Sequence, residues 1–245
     1  MSIFPPKIDP DIVITKKFSF IIWKMALTNI LLLSQISGYV VALVLSLCII
    51  IPMSLHEDEF RGHCLLFSTG TWQESDGQFV VNWASQAYCN YTIFVGLMLL
   101  LTSAVQIYRL SLLMYRGEDS SFLSAFIDVV SSIFLTTITL IAAIIITLGF
   151  MTWCQCMTKR FPSCELAAGN DIDKADGIDT IGFHIELAAV QFGTWTSLSI
   201  WVGLSVFAVL KLLRYHQLEN MKVSMYRERQ RLIEAARSNE IQEST

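Results

Sequence analysis

Four long stretches of the chain contain no charged side chain, and they divide it into alternating apolar and polar segments. The stretches lie between Lys24 and Glu57, Asp76 and Arg109, Asp128 and Lys159, and Glu186 and Lys211. An α-helix rises about 1.5 Å per residue, so about 20 apolar residues cross the hydrocarbon core of a membrane. Each stretch is therefore long enough to form one membrane-spanning helix.

The four spans are predicted near residues 30–51, 88–108, 129–151 and 187–210. Helices are expected because backbone amides in lipid must find partners within their own segment, and the strict alternation of a transmembrane barrel strand is absent from the sequence. The predicted fold class is an all-α membrane protein with four transmembrane helices and two disulfide-bearing extracytoplasmic loops. Residues 25–211 would form the four-helix domain, with cytoplasmic segments at 1–24 and 212–245. The apolar residues of the tail predict a short amphipathic helix there.

Composition agrees with this class. The chain is 53% hydrophobic and 16% charged, whereas a soluble domain carries about 25% charged residues. The first apolar run, 25–53, exceeds the roughly 7–15 residues of a signal-peptide core, so we expect it to be retained as an anchor. The net charge of −4 and the scattered basic residues give no indication of nucleic-acid binding.

The distribution of basic residues predicts the orientation. Thirteen of the seventeen lysines and arginines lie in the N-terminal segment, in the connection between spans two and three, and in the C-terminal tail. Cytoplasmic segments are enriched in these residues, so both termini are expected in the cytoplasm of a plasma-membrane or secretory-pathway protein. Five of the six cysteines fall in the two opposite loops and Cys48 lies near the outer end of span one. This distribution fits an oxidising exterior.

Within the outer loops, Cys64–Cys89 and Cys154–Cys164 are the favoured disulfides because each would close a short loop at low entropic cost. Pairing across the loops remains an alternative, since connectivity does not follow from sequence. Cys156 would be a spare thiol. Asn90 begins the only glycosylation sequon, close to span two.

No metal site or cofactor is predicted. The spacing of Cys154 and Cys156, with His56, His63 and His184, lacks the repeated pairs of a zinc site. The acidic second loop does not follow the ligand pattern of a calcium-binding loop; its aspartates are Asp171, Asp173, Asp176 and Asp179. No nucleophile has a base at motif spacing, so no catalytic residue is assigned and the protein is not expected to be an enzyme.

Polar residues within the spans are few. Asp128 lies at the inner edge of span three, where it is expected to reach the lipid headgroups, and no ionisable residue lies near a span centre. Gln35 and Gln106 are expected to hold helices together.

Small residues recur every four positions in span one, which would align them along one side of the helix. Such a stripe is expected to be a helix-packing seam, either within the bundle or against a partner helix. The stripe comprises Ser34, Gly38, Ala42 and Ser46. The opposite side is expected to face lipid with Leu32, Ile36, Val40 and Leu43.

Several motifs resemble the transmembrane protein 179 family over roughly residues 25–211. They are Phe60-Arg61-Gly62-His63-Cys64-Leu65-Leu66-Phe67, then Trp72 and Cys89, Ser121-Phe122-Leu123-Ser124-Ala125-Phe126, Trp153-Cys154, Ser163-Cys164-Glu165 and Gln191-Phe192-Gly193-Thr194-Trp195. The resemblance implies four spans and two cysteine-bearing outer loops, with no established chemistry. Cys156 and residues 1–24 look like additions to the family pattern. The loop cysteines are spaced differently from those of claudins, and the Cys-Cys-Gly motif of tetraspanins is absent, so neither class is expected.

These features together favour a non-enzymatic membrane protein that works through contacts with other membrane proteins. An accessory, adhesion or trafficking role would fit, and the expected partners are the lipid bilayer and other membrane proteins. The alternative is a pore-forming subunit of an oligomeric channel. Only span three approaches the polar face that a pore requires, through Ser131, Ser132, Thr136, Thr139 and Thr147.

Overall fold

Four helices make up most of the molecule. The computed structural model describes residues 10–74, 79–116, 122–169, 178 and 180–243, with side chains described between 32 and 234. The helices are α1 (Pro10–Glu59), α2 (Ala87–Arg116), α3 (Phe122–Met157) and α4 (Phe183–Glu243). Each contains a segment long and apolar enough to cross a membrane, so the prediction of four spans is confirmed.

The helices form a bundle with the packing order α2, α1, α4, α3. Helix α1 contacts α2 on one side and α4 on the other, and α4 in turn packs along α3, while the contact between α2 and α3 is slight. The two ends of this bundle differ. We call the end where α1 and α3 terminate the hairpin end, and the end with the α2–α3 connection the tail end.

A two-stranded antiparallel sheet, which helix prediction missed, covers the hairpin end. Strand β1 (Cys64–Trp72) pairs with β2 (Phe79–Ala84). In the ladder Thr69 lies opposite Asn82, and Trp72 lies opposite Phe79. The sequence does carry a signal for it: two runs rich in threonine, valine and aromatic residues flank a polar segment. The apolar pattern of the spans on either side is stronger, so the sequence predicts a loop where the structure has a hairpin.

An irregularity interrupts the ladder between Cys64 and Thr69. Phe67 adopts a left-handed backbone conformation there, with φ of 65°. The buried Ser68 hydroxyl spans the gap, because it donates to the carbonyl oxygen of Cys64 at 2.7 Å and accepts from the amide of Ala84 at 3.0 Å. A side chain thus replaces ladder bonds that the bulge removes.

Both terminal helices are longer than the spans they contain. The expected domain boundaries at residues 24 and 211 fall inside α1 and α4, which continue without interruption. The C-terminal tail is therefore an extension of α4 rather than a separate short helix. No proline or glycine follows Gly203 in the chain, so nothing in the sequence interrupts the helix there.

Candidate functional site

Two disulfides fix the hairpin end. Cys64 at the start of β1 is bonded to Cys89 in the first turn of α2, with Cα atoms 5.8 Å apart. Cys154 in the last turn of α3 is bonded to Cys164, with Cα atoms 5.2 Å apart. These are the pairs favoured by the short-loop reasoning, and neither disulfide crosses between loops. Cys156 is a buried free thiol and Cys48 an exposed one.

The inner face of the hairpin packs on α3. The backbone of Leu66 lies so close to Gly149 that a Cβ atom at Gly149 would be 2.9 Å from that of Leu66. Phe79 meets the fully buried ring of Trp153 edge-on, at 5.7 Å between centroids. An isolated two-stranded hairpin is marginal in water, so the disulfide and this contact with α3 are what hold the sheet in place.

The other face of the hairpin carries exposed side chains. Thr69 lies opposite Asn82 and Thr71 opposite Val80 in the ladder, and all four side chains are exposed. Residues directly opposite in an antiparallel pair project from the same face. These four residues, here called the outward face, therefore form one continuous surface on a rigid support.

At the tail end, a polar cluster centres on Asp128 of α3. Arg109 and Gln106 of α2 each donate to Asp128 Oδ1 at 2.9 Å, and Lys211 of α4 lies 3.9 Å from Oδ2. Arg109 also donates to the hydroxyl of Ser124. Asp128 is only 8% exposed, so the expectation that it reaches the lipid headgroups is wrong: neighbouring helices supply its partners. Gln106 links two helices, as expected.

Two of the four small residues of span one are fully buried and two are half-buried. Ala42 and Ser46 are fully buried, and a Cβ atom at the half-buried Gly38 would lie 3.0 Å from Leu204 Cδ2 of α4. Ser34, the first member of the stripe, is half-buried.

The expected lipid-facing side of span one is only partly correct. Val40 is 45% exposed, but Leu32 and Ile36 pack against the core. The physical reason is that α1 has neighbours on two sides, α2 and α4, and therefore buries more than one narrow stripe.

The hydroxyl groups of span three do not form an open polar face. Ser132 and Thr139 are buried, Thr136 exchanges a hydrogen bond of 3.1 Å with Ser205 of α4, and Thr147 accepts from Trp195 at 3.1 Å. Ser131 donates to the carbonyl oxygen of Asp128 in its own helix. Of the five hydroxyls that favoured a pore, two therefore bond to α4 and the other three bond to carbonyl oxygens of their own helix.

The described residues contain no group of three or more histidine, cysteine or acidic side chains placed to hold a metal ion. The aspartates of the second loop lie outside the described residues. His63 stacks on Trp83 and His184 packs against Phe150. Asn90 is exposed in the first turn of α2, beside the disulfide-bonded Cys89.

The sequence of the chain matches one known protein family. A family model described as the transmembrane protein 179/179B claudin domain matches residues 31–233. No solved structure matches the chain. The description names a claudin domain, so the different spacing of the loop cysteines does not separate this chain from the claudin class, and that expectation is wrong. The match covers all four spans and both disulfides, and the chain therefore belongs to the transmembrane protein 179/179B claudin-domain family.

Proposed function

We propose that this four-span protein acts without catalysis, by contacting other membrane proteins through its hairpin. The observation that carries the proposal is the outward face, in which Thr69, Thr71, Val80 and Asn82 are exposed on a sheet that is clamped to the bundle. A fixed surface loses little conformational freedom on binding, so more of the contact energy remains as affinity. An accessory, adhesion or trafficking role would use such a surface.

The proposed orientation places the hairpin end outside the cytoplasm. It rests on the thirteen basic residues that flank the spans on the tail side. The disulfides at the hairpin end support it, because disulfides persist in oxidising compartments. Both termini would then be cytoplasmic, and the protein would lie in the plasma membrane or a membrane of the secretory pathway. Asn90 would be accessible as a glycosylation acceptor only in this orientation.

The bundle interior supports a contact role over transport. The one buried carboxylate of the described span residues, Asp128, is paired with Arg109 and approached by Lys211, and two of the span-three hydroxyls, those of Thr136 and Thr147, bond to α4. Ionisable groups that serve a transport path usually face a water-filled cavity. Those side chains instead join neighbouring helices.

Two acidic substitutions on the outward face test the proposal. Thr71 and Val80 are cross-strand partners. The double variant Thr71→Glu with Val80→Glu therefore places two negative charges on the outward face. The backbone hydrogen bonds between β1 and β2 do not involve these side chains and are retained. Proximity labelling in native cells, with the tag on the C-terminal tail, should then lose a defined subset of membrane neighbours. Surface abundance and both disulfides should stay as in the unmodified protein.

The matched control is Thr158→Glu, which adds an acidic group at another exposed position of the hairpin end. It should leave the set of neighbours unchanged. If the double variant reaches the surface and retains every neighbour of the unmodified protein, the hairpin is not the contact surface.

A further inference from the structure

The Asp128 cluster at the tail end lies at the boundary of the hydrocarbon core. Arg109, Asp128 and Lys211 are each the charged residue at which a charge-free stretch ends, on α2, α3 and α4 respectively. The ion pairs between them bring these three boundary positions together at one point. The polar headgroups of a bilayer begin where its hydrocarbon core ends. The cluster therefore lies at the depth of the lipid phosphates of the leaflet at the tail end.

The cluster carries more positive than negative charge. Among the described residues, the ion pairs of Arg109 and Lys211 lead only to Asp128, so two cations share one carboxylate. The side chains of the two cations are 36% and 20% exposed, respectively, so both are partly withdrawn from water. A charge withdrawn from water destabilises the structure unless a counter-charge lies beside it. The excess positive charge therefore favours an anion supplied from outside the chain.

Both cations have hydrogen-bond donors left for such an anion. The Nζ atom of Lys211 lies 3.9 Å from Asp128 Oδ2, which is too far for a hydrogen bond, and Lys211 makes no other polar contact among the described residues. Of the five N–H groups of Arg109, three reach acceptors within the cluster. Arginine and lysine both bind phosphate oxygens through charge-assisted hydrogen bonds. The remaining donors therefore suit a phosphate group.

An apolar groove on the surface of α3 leads from the level of the cluster into the bilayer. It is lined by Phe126, Ile127, Val130, Ser131 and Phe134. Its first residues adjoin Asp128 in the chain, and Ser131 donates to the carbonyl oxygen of Asp128. From Phe126 to Phe134 the helix rises about 12 Å towards the hairpin end. Because the four apolar side chains are exposed, the groove is open to lipid and suits one acyl chain.

We propose that the Asp128 cluster binds one anionic phospholipid. Arg109 and Lys211 hold its phosphate, Asp128 orients the two cations, and an acyl chain lies in the groove. A phosphatidylserine headgroup has one net negative charge and balances the excess positive charge, whereas the choline of phosphatidylcholine cancels its own phosphate. Anionic lipids are abundant in the cytoplasmic leaflet, to which the proposed orientation assigns the tail end. The site is a property of the fold and depends neither on that orientation nor on the proposed contact role.

The test counts the lipids that the full-length protein retains in detergent micelles. The protein is titrated with phosphatidylserine or with phosphatidylcholine, and native mass spectrometry reports the bound lipids. The unmodified protein should retain one phosphatidylserine in preference to phosphatidylcholine. Lys211→Gln should weaken this binding about fivefold, the effect of one basic residue at an anionic surface. Lys211→Arg keeps the charge and should retain the lipid.

The matched control is Lys222→Gln, which removes the same charge from an exposed position of α4, about three turns further from the membrane. It should bind phosphatidylserine as the unmodified protein does. Val130→Trp should obstruct the groove and weaken binding. Ile133→Trp should not, because Ile133 is an exposed residue of α3 that does not line the groove.

Equal retention of the two lipids by the unmodified protein would overturn the site, and this comparison requires no variant to fold. Equal losses in Lys211→Gln and Lys222→Gln would also overturn it, since they indicate diffuse attraction to a charged surface. Phosphatidylserine should raise the midpoint of thermal unfolding in detergent, and inorganic phosphate should not. An equal rise with inorganic phosphate would show that the ligand is a free anion and not a lipid.

Discussion

The end of α1 depends on two backbone positions with left-handed conformation. Arg61 has φ of 51° and Gly62 has φ of 82°. The amide of Gly62 donates to the carbonyl oxygen of Glu57 at 2.8 Å, and the amide of Arg61 to that of Asp58 at 3.1 Å. This pair of bonds is the Schellman arrangement, in which the left-handed residue is usually glycine. Here an arginine occupies that position, and its Cβ atom makes the left-handed backbone conformation unfavourable.

Arg61→Gly should therefore stabilise the protein, by about 0.5–1 kcal/mol, because the left-handed strain disappears while some backbone entropy is lost. The midpoint of thermal unfolding in detergent measures the change. Arg61→Ala removes the same exposed side chain but keeps Cβ, so it should give no gain. Equal midpoints for the glycine and alanine variants would show that the backbone at Arg61 is not strained.

The Asp128 cluster is a second feature that single residues control. Asp128→Ala would leave Arg109 and Lys211 facing each other without their shared carboxylate. Breaking a buried pair costs about 3–5 kcal/mol, and partial exposure of Arg109 lowers the expected loss to roughly 2–3 kcal/mol. Asp58→Ala, at an exposed site, should be nearly neutral. Similar unfolding midpoints for the two variants would mean that the cluster does not stabilise the bundle.

At the scale of elements, the hairpin and its disulfide depend on each other. The Cys64–Cys89 bond spans 25 residues and joins β1 to α2, while Gly149 allows β1 to approach α3 closely. The disulfide and the contact thus hold the sheet to different helices. Loss of either connection would leave a two-stranded sheet that is marginal by itself.

Cys64→Ser or Cys89→Ser should lower stability by about 2–4 kcal/mol, because the bond no longer restricts the unfolded chain. Reduced abundance of mature protein at the cell surface and a lower unfolding midpoint would follow. Cys156→Ser is the control, since Cys156 forms no disulfide. Non-reducing peptide mapping that found Cys156 paired and Cys154 free would contradict the connectivity.

The close packing of α1 against α4 at Gly38 predicts that a larger side chain there destabilises the protein. Gly38→Leu must displace Leu204, whose Cδ2 atom would lie 3.0 Å from the new Cβ, and overpacking costs about 1–3 kcal/mol. The matched control is Gly203→Leu, because a Cβ atom there would have no neighbour within 4 Å. Internal packing predicts that only the first variant loses mature, disulfide-bonded protein. If Gly38→Leu folds normally but loses co-purifying membrane proteins, the stripe docks a partner helix instead.

The two ends of the whole molecule differ: the β1–β2 sheet covers the hairpin end, and α4 extends beyond the bundle at the tail end. The hairpin closes the bundle at one end, and α4 continues to Glu243 at the other. Between Lys211 and Glu234 most side chains of this extension are exposed. The extension carries seven of the lysines and arginines on which the predicted orientation rests.

The proposed orientation predicts that peptide tags after Met1 and after Thr245 are hidden from antibody in intact cells. Permeabilising the membrane should expose both, because positively charged flanks are retained in the cytoplasm. A tag inserted in the connection between β1 and β2 serves as the positive control and should be accessible without permeabilisation. Detection of either terminal tag on intact cells would reverse the orientation.

The spans were predictable because each is encoded locally. The absence of charge between Lys24 and Glu57, for example, is a property of consecutive residues, and lipid imposes helical structure on any such stretch. The disulfide between Cys154 and Cys164 was favoured for a similar reason, since its members have a sequence separation of only 10. The hairpin carried a local signal as well, in the β-forming residues on both sides of its turn.

What could not be predicted depends on which helices become neighbours. Asp128 is buried because Arg109 and Lys211 reach it from α2 and α4, and Leu32 and Ile36 face the core because α1 has two partners. His56 and Glu186 are separated by 130 positions in the chain and meet only across a helix contact. The sequence by itself determined the spans, through local hydropathy and backbone hydrogen bonding in lipid. Only the tertiary structure decided the partners of the polar side chains, because those partners are set by packing between helices distant in the chain.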